Sequence, residues 1–142
     1  MSFCFTLIKS RSILVVEDND DDQLLVAQAL KAAAVSRPVV FVQDVKAAKG
    51  YLTQTLPCLI LLDLSLPLEG GLEFLQAIRS EPKTRRIPVV VLTGSRAQQD
   101  LIDSYQYGAN SYITKTGNLA EFYDKVSCMC TYWLDICQLP SA

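Results

Sequence analysis

The stretch Cys58-Leu59-Ile60-Leu61-Leu62-Asp63 decides the fold class of this chain. It follows Pro57, consists of a continuous run of apolar residues, and stops at an acid. A short apolar run without alternating polar positions is typical of a strand that is buried on both faces. The stretch therefore predicts an interior strand of a parallel sheet, with Asp63 at its carboxyl end.

Similar apolar segments lie on either side of this strand and alternate with helical patterns. The other predicted strands are Ile13-Leu14-Val15-Val16, Val39-Val40-Phe41-Val42, Val89-Val90-Val91-Leu92 and Ser111-Tyr112-Ile113-Thr114. The predicted helices are a first one with Leu24, Leu25, Ala27, Leu30 and Ala34 on its apolar face, then Val45 to Leu56, Leu72 to before Pro82, Ala97 to Tyr107, and a last one capped by Asn118. This alternation predicts an α/β fold, in which a doubly wound, five-stranded parallel sheet is covered on both faces by five helices.

Charge and the absence of histidine narrow the possible functions. The chain has 142 residues and a net charge of -2, from 13 basic and 15 acidic side chains. This charge offers no electrostatic reason to expect nucleic acid or an anionic membrane as a partner, and no apolar run approaches the ~18 residues of a membrane span. Because the chain contains no histidine, Ser-His-Asp and Cys-His catalysis are excluded.

Length and cysteine content indicate a single cytoplasmic domain. We expect one domain over residues 1–142, with a core from about residue 12 to 138, an extension over residues 1–11, and no output domain. The first residues lack the charged region and the cleavage site of a signal peptide. The cysteines are Cys4, Cys58, Cys128, Cys130 and Cys137. Their odd number and their positions favour reduced thiols.

Polar side chains stand at the carboxyl ends of the predicted strands. Glu17 and Asp18 follow the first strand, Asp63 the third, Thr93 the fourth and Lys115 the fifth. Ligands of such sheets bind beyond the carboxyl ends of the strands. We therefore expect three carboxylates, a hydroxyl and an amine in one crevice.

This set of residue types suits a metal-assisted phosphoryl site. Carboxylates 4 Å apart repel by about 4 kcal/mol at an effective dielectric near 20, so they need a cation or raised pKa values. Oxygen ligands without histidine or cysteine favour Mg²⁺. Asp63 is the best nucleophile candidate because it ends the most apolar strand, and a carboxylate can form an acyl phosphate. Lys115 and the Thr93 hydroxyl would then contact the phosphoryl oxygens.

From Ser12 to the last helix, the sequence resembles the receiver domains of response regulators, which have a flavodoxin-like fold. The motifs that carry the resemblance are Val15-Val16-Glu17-Asp18-Asn19, Leu61-Leu62-Asp63-Leu64-Ser65-Leu66-Pro67, Val91-Leu92-Thr93-Gly94-Ser95 and Tyr112-Ile113-Thr114-Lys115. Their spacing also fits, with 45 positions from Asp18 to Asp63, 30 to Thr93 and 22 to Lys115.

The resemblance implies a role for each site residue. Asp63 is the expected phosphoacceptor, with a sensor histidine kinase as donor. Asp18 and Asp63 are expected to ligate Mg²⁺, together with Glu17 through water and the carbonyl of Ser65. Thr93 and Lys115 would contact the phosphoryl group. Tyr112 would be the switch aromatic that turns inward as Thr93 moves, although plain packing of Tyr112 in the strand is equally compatible with the sequence.

Two details refine the resemblance. The family usually has proline after the lysine, whereas Thr116 follows Lys115 here. Since a cis bond before a residue other than proline costs ~2.5–4 kcal/mol, we expect this loop to be trans or mobile. The segment from Tyr112 to Leu119, together with Trp133-Leu134 and Leu139-Pro140, is similar to single-domain regulators that are paired with cyanobacterial and bacterial phytochrome kinases.

The last helix carries two adjacent apolar stripes. One stripe comprises Leu119, Tyr123, Val126, Cys130, Leu134 and Cys137, and the other comprises Phe122, Met129, Trp133 and Ile136. Two stripes exceed what one sheet face needs. We predict that the second stripe, with Tyr105 or Tyr107, forms a homodimer interface. The alternative is a helix that packs more deeply.

Four alternative functions share some of these sequence features. A calcium-binding EF-hand loop would begin at Asp18-x-Asp20-x-Asp22, but Gln23 and Ala29 stand where the loop needs glycine and an acid. A Mg²⁺-dependent phosphatase with an aspartate nucleophile expects a second acid where this chain has Ser65. A flavin carrier does not suit the acidic loop after the first strand. A receiver-like scaffold that works without phosphate stays open. The expected function is signalling, not enzymatic turnover.

Overall fold

The computed structural model describes residues 11–66 and 70–140. Residues 1–10, with Cys4 and most of the predicted N-terminal extension, lie outside the described residues, as do Pro67 and the final two residues. The strands are β1 (Ile13–Val16), β2 (Val39–Val42), β3 (Leu59–Leu62), β4 (Val89–Thr93) and β5 (Ser111–Thr114). The helices are α1 (Asp20–Ala32), α2 (Val45–Gln54), α3 (Gly71–Ser80), α4 (Gln98–Gln106) and α5 (Leu119–Cys130), followed by a π-helical turn (Thr131–Ile136).

In the described part of the chain, the five strands form one parallel sheet in the order β2-β1-β3-β4-β5. Strand β3 is central, as its unbroken apolar sequence predicts, and all four of its residues are buried. The order reverses between β1 and β3, which makes the sheet doubly wound. The predicted α/β architecture with its five strands and five helices is confirmed.

Each face of the sheet has its own hydrophobic core. Ile13, Val15, Leu59, Leu61, Val90 and Leu92 pack against α1 and α5. The alternate residues of the same strands, Leu14, Val16, Ile60, Leu62, Val89 and Val91, pack against α2 and α3. Because side chains alternate between faces along a strand, burial on both faces requires the continuous apolar runs seen in the sequence.

The buried face of α1 overlaps the predicted one only in part. Val26, Ala29 and Leu30 are buried, whereas Leu24 is 58% exposed. Ala34 lies beyond the helix, with a positive φ of 57°. Asn19 caps the helix by accepting a hydrogen bond from the backbone N–H of Asp22. Leu25 and Leu30 of the predicted face do pack in the core, together with Val26 and Ala29.

The prediction that four apolar residues of the last helix form a dimer interface is wrong for two of them. Phe122 is 0% exposed and Met129 is 6% exposed, and both belong to the core between the sheet, α1 and α5. Helix α5 packs against α1 as well as against the sheet, so a wide arc of its surface is covered. Trp133 is half-buried against the same core. Ile136, at 68% exposure, is the one residue of the four that faces solvent.

The thiols Cys58, Cys128, Cys130 and Cys137 are free. Cys128 is exposed and Cys130 is buried, because residues two positions apart on a helix point about 200° apart. Within residues 11–66 and 70–140, no helix combines the length and the hydropathy of a membrane span.

Candidate functional site

Parallel pairing brings the polar strand ends to one edge of the sheet. Val16 lies opposite Leu62 in the register, and the backbone N–H of Asp63 donates to the carbonyl of Val16 at 3.1 Å. At the other side of the sheet, the N–H of Lys115 donates to the carbonyl of Thr93 at 2.7 Å. The residues that directly follow β1, β3 and β5 therefore line one crevice, together with the last residue of β4.

Three carboxylates meet in this crevice. Glu17, Asp18 and Asp63 each offer an oxygen, and these oxygens lie within 4.8 Å of one another. Glu17 and Asp63 are buried, whereas Asp18 is exposed and marks the open side of the cluster. Mg²⁺ takes oxygen ligands at about 2.0–2.1 Å, so ligands on opposite sides of the ion are roughly 4 Å apart. The cluster therefore fits a small divalent cation in both donor type and size.

Lys115 reaches into the same crevice from the end of β5. Its Nζ donates to Oε1 of Glu17 in a short ion pair, and it lies 3.2 Å from Oδ2 of Asp22 and 3.4 Å from Oδ2 of Asp63. Burial lowers the pKa of Lys115, but the hydrogen bond to Glu17 and the charges of the acids outweigh it, and the pKa is raised overall. The amine is therefore a cation at neutral pH.

The two buried acids respond differently to the same surroundings. Burial raises the pKa of Glu17 to about 7, against the opposing effect of Lys115. Burial acts in the same direction on Asp63, but the charge of Lys115 and the N–H of Ser65, which donates to Oδ1 at 3.2 Å, outweigh it. The pKa of Asp63 is lowered overall. Asp63 is thus an ionised carboxylate at neutral pH, the form in which it can act as a nucleophile.

Thr93 and Tyr112 are linked through Ser95. Thr93 is fully buried at the end of β4, and its Oγ1 accepts a hydrogen bond from the N–H of Ser95 at 3.3 Å. The hydroxyl of Tyr112 donates to the carbonyl of Ser95 at 3.2 Å. Ser95 is held in turn by Asp100, since its Oγ lies 2.5 Å from Oδ2 of that residue. Thr93 and Tyr112 therefore both contact Ser95, in the loop between β4 and α4.

The loop after β5 has Thr116 at the position where the family usually has proline, and hydrogen bonds hold this loop in place. No cis peptide bond occurs in residues 11–66 or 70–140, so the bond between Lys115 and Thr116 is trans, one of the two expected outcomes. The Oγ1 of Thr116 donates to the carbonyl of Asn118 at 3.0 Å. Asn118 caps α5 by accepting a hydrogen bond from Glu121 at 3.0 Å, as predicted.

Sequence reasoning missed two residues that belong to the site. The sequence singles out Asp22 only as part of the rejected EF-hand pattern, yet it forms an ion pair with Lys115. Its position four residues after Asp18 was the available signal, since it brings a helical acid back to the same edge. The sequence does not single out Gly71, yet a Cβ there would lie 2.7 Å from the carbonyl oxygen of Asp63. No sequence pattern announces so close an approach.

Comparison with known proteins identifies the family. Residues 13–127 match the family model described as response regulator receiver domain. The chain belongs to this family.

Known receiver domains resemble the chain over nearly its whole length. Response regulator Rcp1 of Synechocystis sp. is 39% identical over 137 residues, which cover 92% of this chain and 93% of Rcp1. The crystal structure of the Mn²⁺-bound form of Rcp1 has a TM-score of 0.84, 39% identity, and coverage of 92% of this chain and 99% of that one. The phosphorylated cyanobacterial phytochrome response regulator RcpA has a TM-score of 0.86 and 41% identity, with the same two coverages.

The expected receiver fold and the resemblance to regulators associated with phytochromes are thereby confirmed. The chain is a receiver domain of two-component signalling, and its function is that of a phosphoacceptor response regulator. The receiver family acts in signalling more than in enzymatic turnover.

Proposed function

We propose that this receiver domain accepts a phosphoryl group on Asp63 from a phosphohistidine of a sensor histidine kinase. The observation that carries the proposal is the buried, ionised carboxylate of Asp63, with the ammonium of Lys115 at 3.4 Å. An oxygen of Asp63 attacks phosphorus, and the phosphorus–nitrogen bond breaks. The electron pair of that bond stays on the imidazole, which takes up a proton, and hydrolysis of the acyl phosphate later restores Asp63.

Mg²⁺ is the cation that we propose for the acid cluster. Asp18 and Asp63 would hold it directly, Glu17 through water, and Ser65 through its carbonyl. The support is a donor set of hard oxygens within 4.8 Å, free of the nitrogen and sulfur ligands that zinc prefers. The bound ion would neutralise charge on the phosphoryl oxygens. The protein's own part is to keep two of these acids buried and in place before the ion arrives.

Lys115 and Thr93 are the proposed phosphoryl contacts, and Thr93 and Tyr112 the proposed switch. Lys115 offers a positive charge beside Asp63, and Thr93 offers a hydroxyl at the end of the neighbouring strand. When Thr93 turns its hydroxyl to the phosphoryl group, the hydrogen bond from Ser95 to that hydroxyl is lost. The loop that also anchors Tyr112 is then free to move, which couples phosphorylation to the surface.

The proposed partner is a histidine kinase of the phytochrome type. Support comes from the likeness to RcpA, a cyanobacterial phytochrome response regulator, at 41% identity. The phosphoryl chemistry would be confined to the protein's own Asp63, without turnover of a separate substrate. We place the protein in the cytoplasm with its kinase, where unpaired thiols are typical. The output would run through contacts with a downstream protein or through phosphorelay.

We also propose a homodimer. Helix α4, which contacts the edge strand β5, exposes Tyr105. Exposed Tyr132, in the π-helical turn, lines a depression along β5, and Ile136 is exposed in the same turn. An exposed apolar group beside an edge strand is a common association surface. Sedimentation of the protein with and without phosphorylation tests this, and a monomer in both states at high micromolar concentration excludes it.

The phosphoacceptor proposal is tested with acetyl phosphate and intact-protein mass spectrometry. We expect an adduct of one phosphoryl group that requires Mg²⁺ and is lost in Asp63→Asn. Asp21→Asn, at an exposed acid outside the cluster, serves as the matched control and keeps the adduct. An adduct that persists in Asp63→Asn would contradict the proposal. A folded, metal-binding protein that gains no adduct from acetyl phosphate or a kinase would be a scaffold instead.

A further inference from the structure

The ammonium of Lys115 is shared among carboxylates from three elements. Among the described residues it contacts Glu17 after β1, Asp63 after β3, and Asp22 in the first turn of α1. An ammonium has three N–H donors, so these contacts use its full donor capacity. The direction of the Lys115 side chain is therefore set jointly by Glu17 and Asp63, which belong to the acid cluster, and by Asp22 of α1, which does not.

Asp22 differs from the other two partners in burial and in anchorage. Its side chain is 40% exposed, against 3% for Glu17 and 8% for Asp63. It does not belong to the group of acids whose oxygens converge. Its backbone N–H donates to Oδ1 of Asn19 at 2.9 Å, in the cap that fixes the start of α1. The position of this carboxylate therefore depends on the helix and not on the contents of the crevice.

A divalent cation would change the balance of these contacts. It would bind Asp63 directly and Glu17 through water, and these are the same two acids that hold Lys115 from within the crevice. Two cations would then share the same carboxylates and repel each other. Among the described contacts of Lys115, Asp22 is the one whose carboxylate would not also serve the divalent cation.

We propose that Asp22 is a positioning residue, which holds Nζ of Lys115 at the rim of the site while Glu17 and Asp63 serve the divalent cation. The ammonium thereby stays within reach of the phosphoryl group on Asp63. The proposal rests on the function proposed above for Asp63 and Lys115, and it adds a residue of α1 to that site.

A double-mutant cycle between Asp22 and Lys115 tests the proposal. Wild type, Asp22→Asn, Lys115→Ala and the double variant are incubated with acetyl phosphate at saturating Mg²⁺, and the ratio of phosphorylated to unphosphorylated protein is read by intact mass. With Lys115 present, we expect Asp22→Asn to lower this ratio about threefold, the size of effect that a partly exposed ion pair has on an equilibrium. With alanine at position 115, we expect no further loss.

Two variants separate positioning from general effects of charge. Asp21→Asn removes the same charge from the same turn of α1, at a residue whose side chain makes no hydrogen bond or ion pair with any other described residue. It should phosphorylate like wild type. Asp22→Glu restores the carboxylate and should recover part of the ratio. Titration with Mn²⁺ should show that Asp22→Asn binds the metal as tightly as Asp21→Asn does.

Each other outcome has a definite meaning. Asp22→Asn at the wild-type level, an equal loss in both Lys115 backgrounds, or the same loss in Asp21→Asn would overturn the positioning role. Weaker Mn²⁺ binding confined to Asp22→Asn would make Asp22 a metal residue instead. Failure of the underlying function looks different, because wild type would then gain no phosphoryl group, or Lys115→Ala would behave as wild type does.

Discussion

The Nζ atom of Lys115 lies 3.4 Å from Oδ2 of Asp63, although the two residues follow strands that are not neighbours. Strand β4 separates β3 from β5 and ends with Thr93. The lysine side chain is long enough to cross the end of this intervening strand. The ammonium of Lys115, the hydroxyl of Thr93 and the carboxylate of Asp63 therefore meet at the edge formed by the carboxyl ends of the strands. The strand order thus assembles the site from residues far apart in sequence.

Replacement of Asp18 should weaken metal binding. We expect Asp18→Asn to lower the affinity for Mg²⁺ about tenfold or more, because it removes the charge of one of the three converging carboxylates. Calorimetric titration measures this, with Asp21→Asn as the control. Equal affinity in the two variants would exclude Asp18 as a ligand.

Binding of the metal should stabilise the fold. At a Mg²⁺ concentration about 100 times Kd, the free energy of unfolding rises by about 2.7 kcal/mol, and Tm rises by roughly 5–10 °C for a domain of this size. The rise comes from relief of repulsion among Glu17, Asp18 and Asp63. A chelator should reverse it. A Tm that is independent of Mg²⁺ would show that the acid cluster does not bind the ion.

Replacement of Gly71 should displace the backbone that carries Asp63. A Cβ at this position would lie 2.7 Å from the carbonyl oxygen of Asp63 and 2.8 Å from Cα of Leu64. Both atoms belong to the backbone, so Gly71→Ala must shift the loop that carries Asp63. We expect a loss of roughly 1–3 kcal/mol in the free energy of unfolding, together with weaker Mg²⁺ binding.

Gly50→Ala is the matched control for Gly71→Ala. Gly50 lies within α2, and a Cβ there would meet no described atom within 4 Å. Because alanine favours a helix over glycine, we expect Gly50→Ala to stabilise the protein by about 0.5–1 kcal/mol and to leave metal binding unchanged. If both variants bind Mg²⁺ like wild type, the close approach of Gly71 has no bearing on the site.

The two cysteines near the end of α5 should react at different rates. Burial, aided by the charge of Asp135, raises the pKa of Cys130 to about 11. Its thiol therefore stays protonated as pH rises from about 8 to 10, whereas Cys128 is exposed. Iodoacetamide followed by peptide mass spectrometry should find Cys128 modified first and Cys130 protected until the protein is unfolded. Equal rates in the folded protein would contradict the burial of Cys130.

The same pKa shift has a consequence for stability at high pH. The pKa of Cys130 is higher in the folded protein than the ordinary value of 9.0. The folded state therefore holds this proton more tightly, and the resulting stability is present below about pH 9 and is lost as pH rises through 11. The denaturant midpoint of Cys130→Ala should depend less on pH over this range than that of wild type.

The sequence by itself determined the sheet and the arrival of its polar strand ends at one edge. Continuous apolar runs at Ile13–Val16, Leu59–Leu62 and Val89–Leu92 predict burial on both faces, and their alternation with helical patterns makes a parallel sheet between helices the arrangement that provides it. Once such a sheet forms, residues that follow its strands must converge. The sequence alone therefore predicts that Glu17, Asp18, Asp63, Thr93 and Lys115 share one site.

Only the tertiary structure decided which groups touch and which apolar faces are covered. The contact between Lys115 and Asp22 depends on how α1 leaves β1, and the burial of Phe122 and Met129 depends on α5 packing against α1. Helical periodicity indicates that a face is apolar, but it does not say how wide an arc the neighbouring elements cover. Such contacts join residues about 90 or more positions apart, and they are set by the packing of whole elements and not by any local pattern.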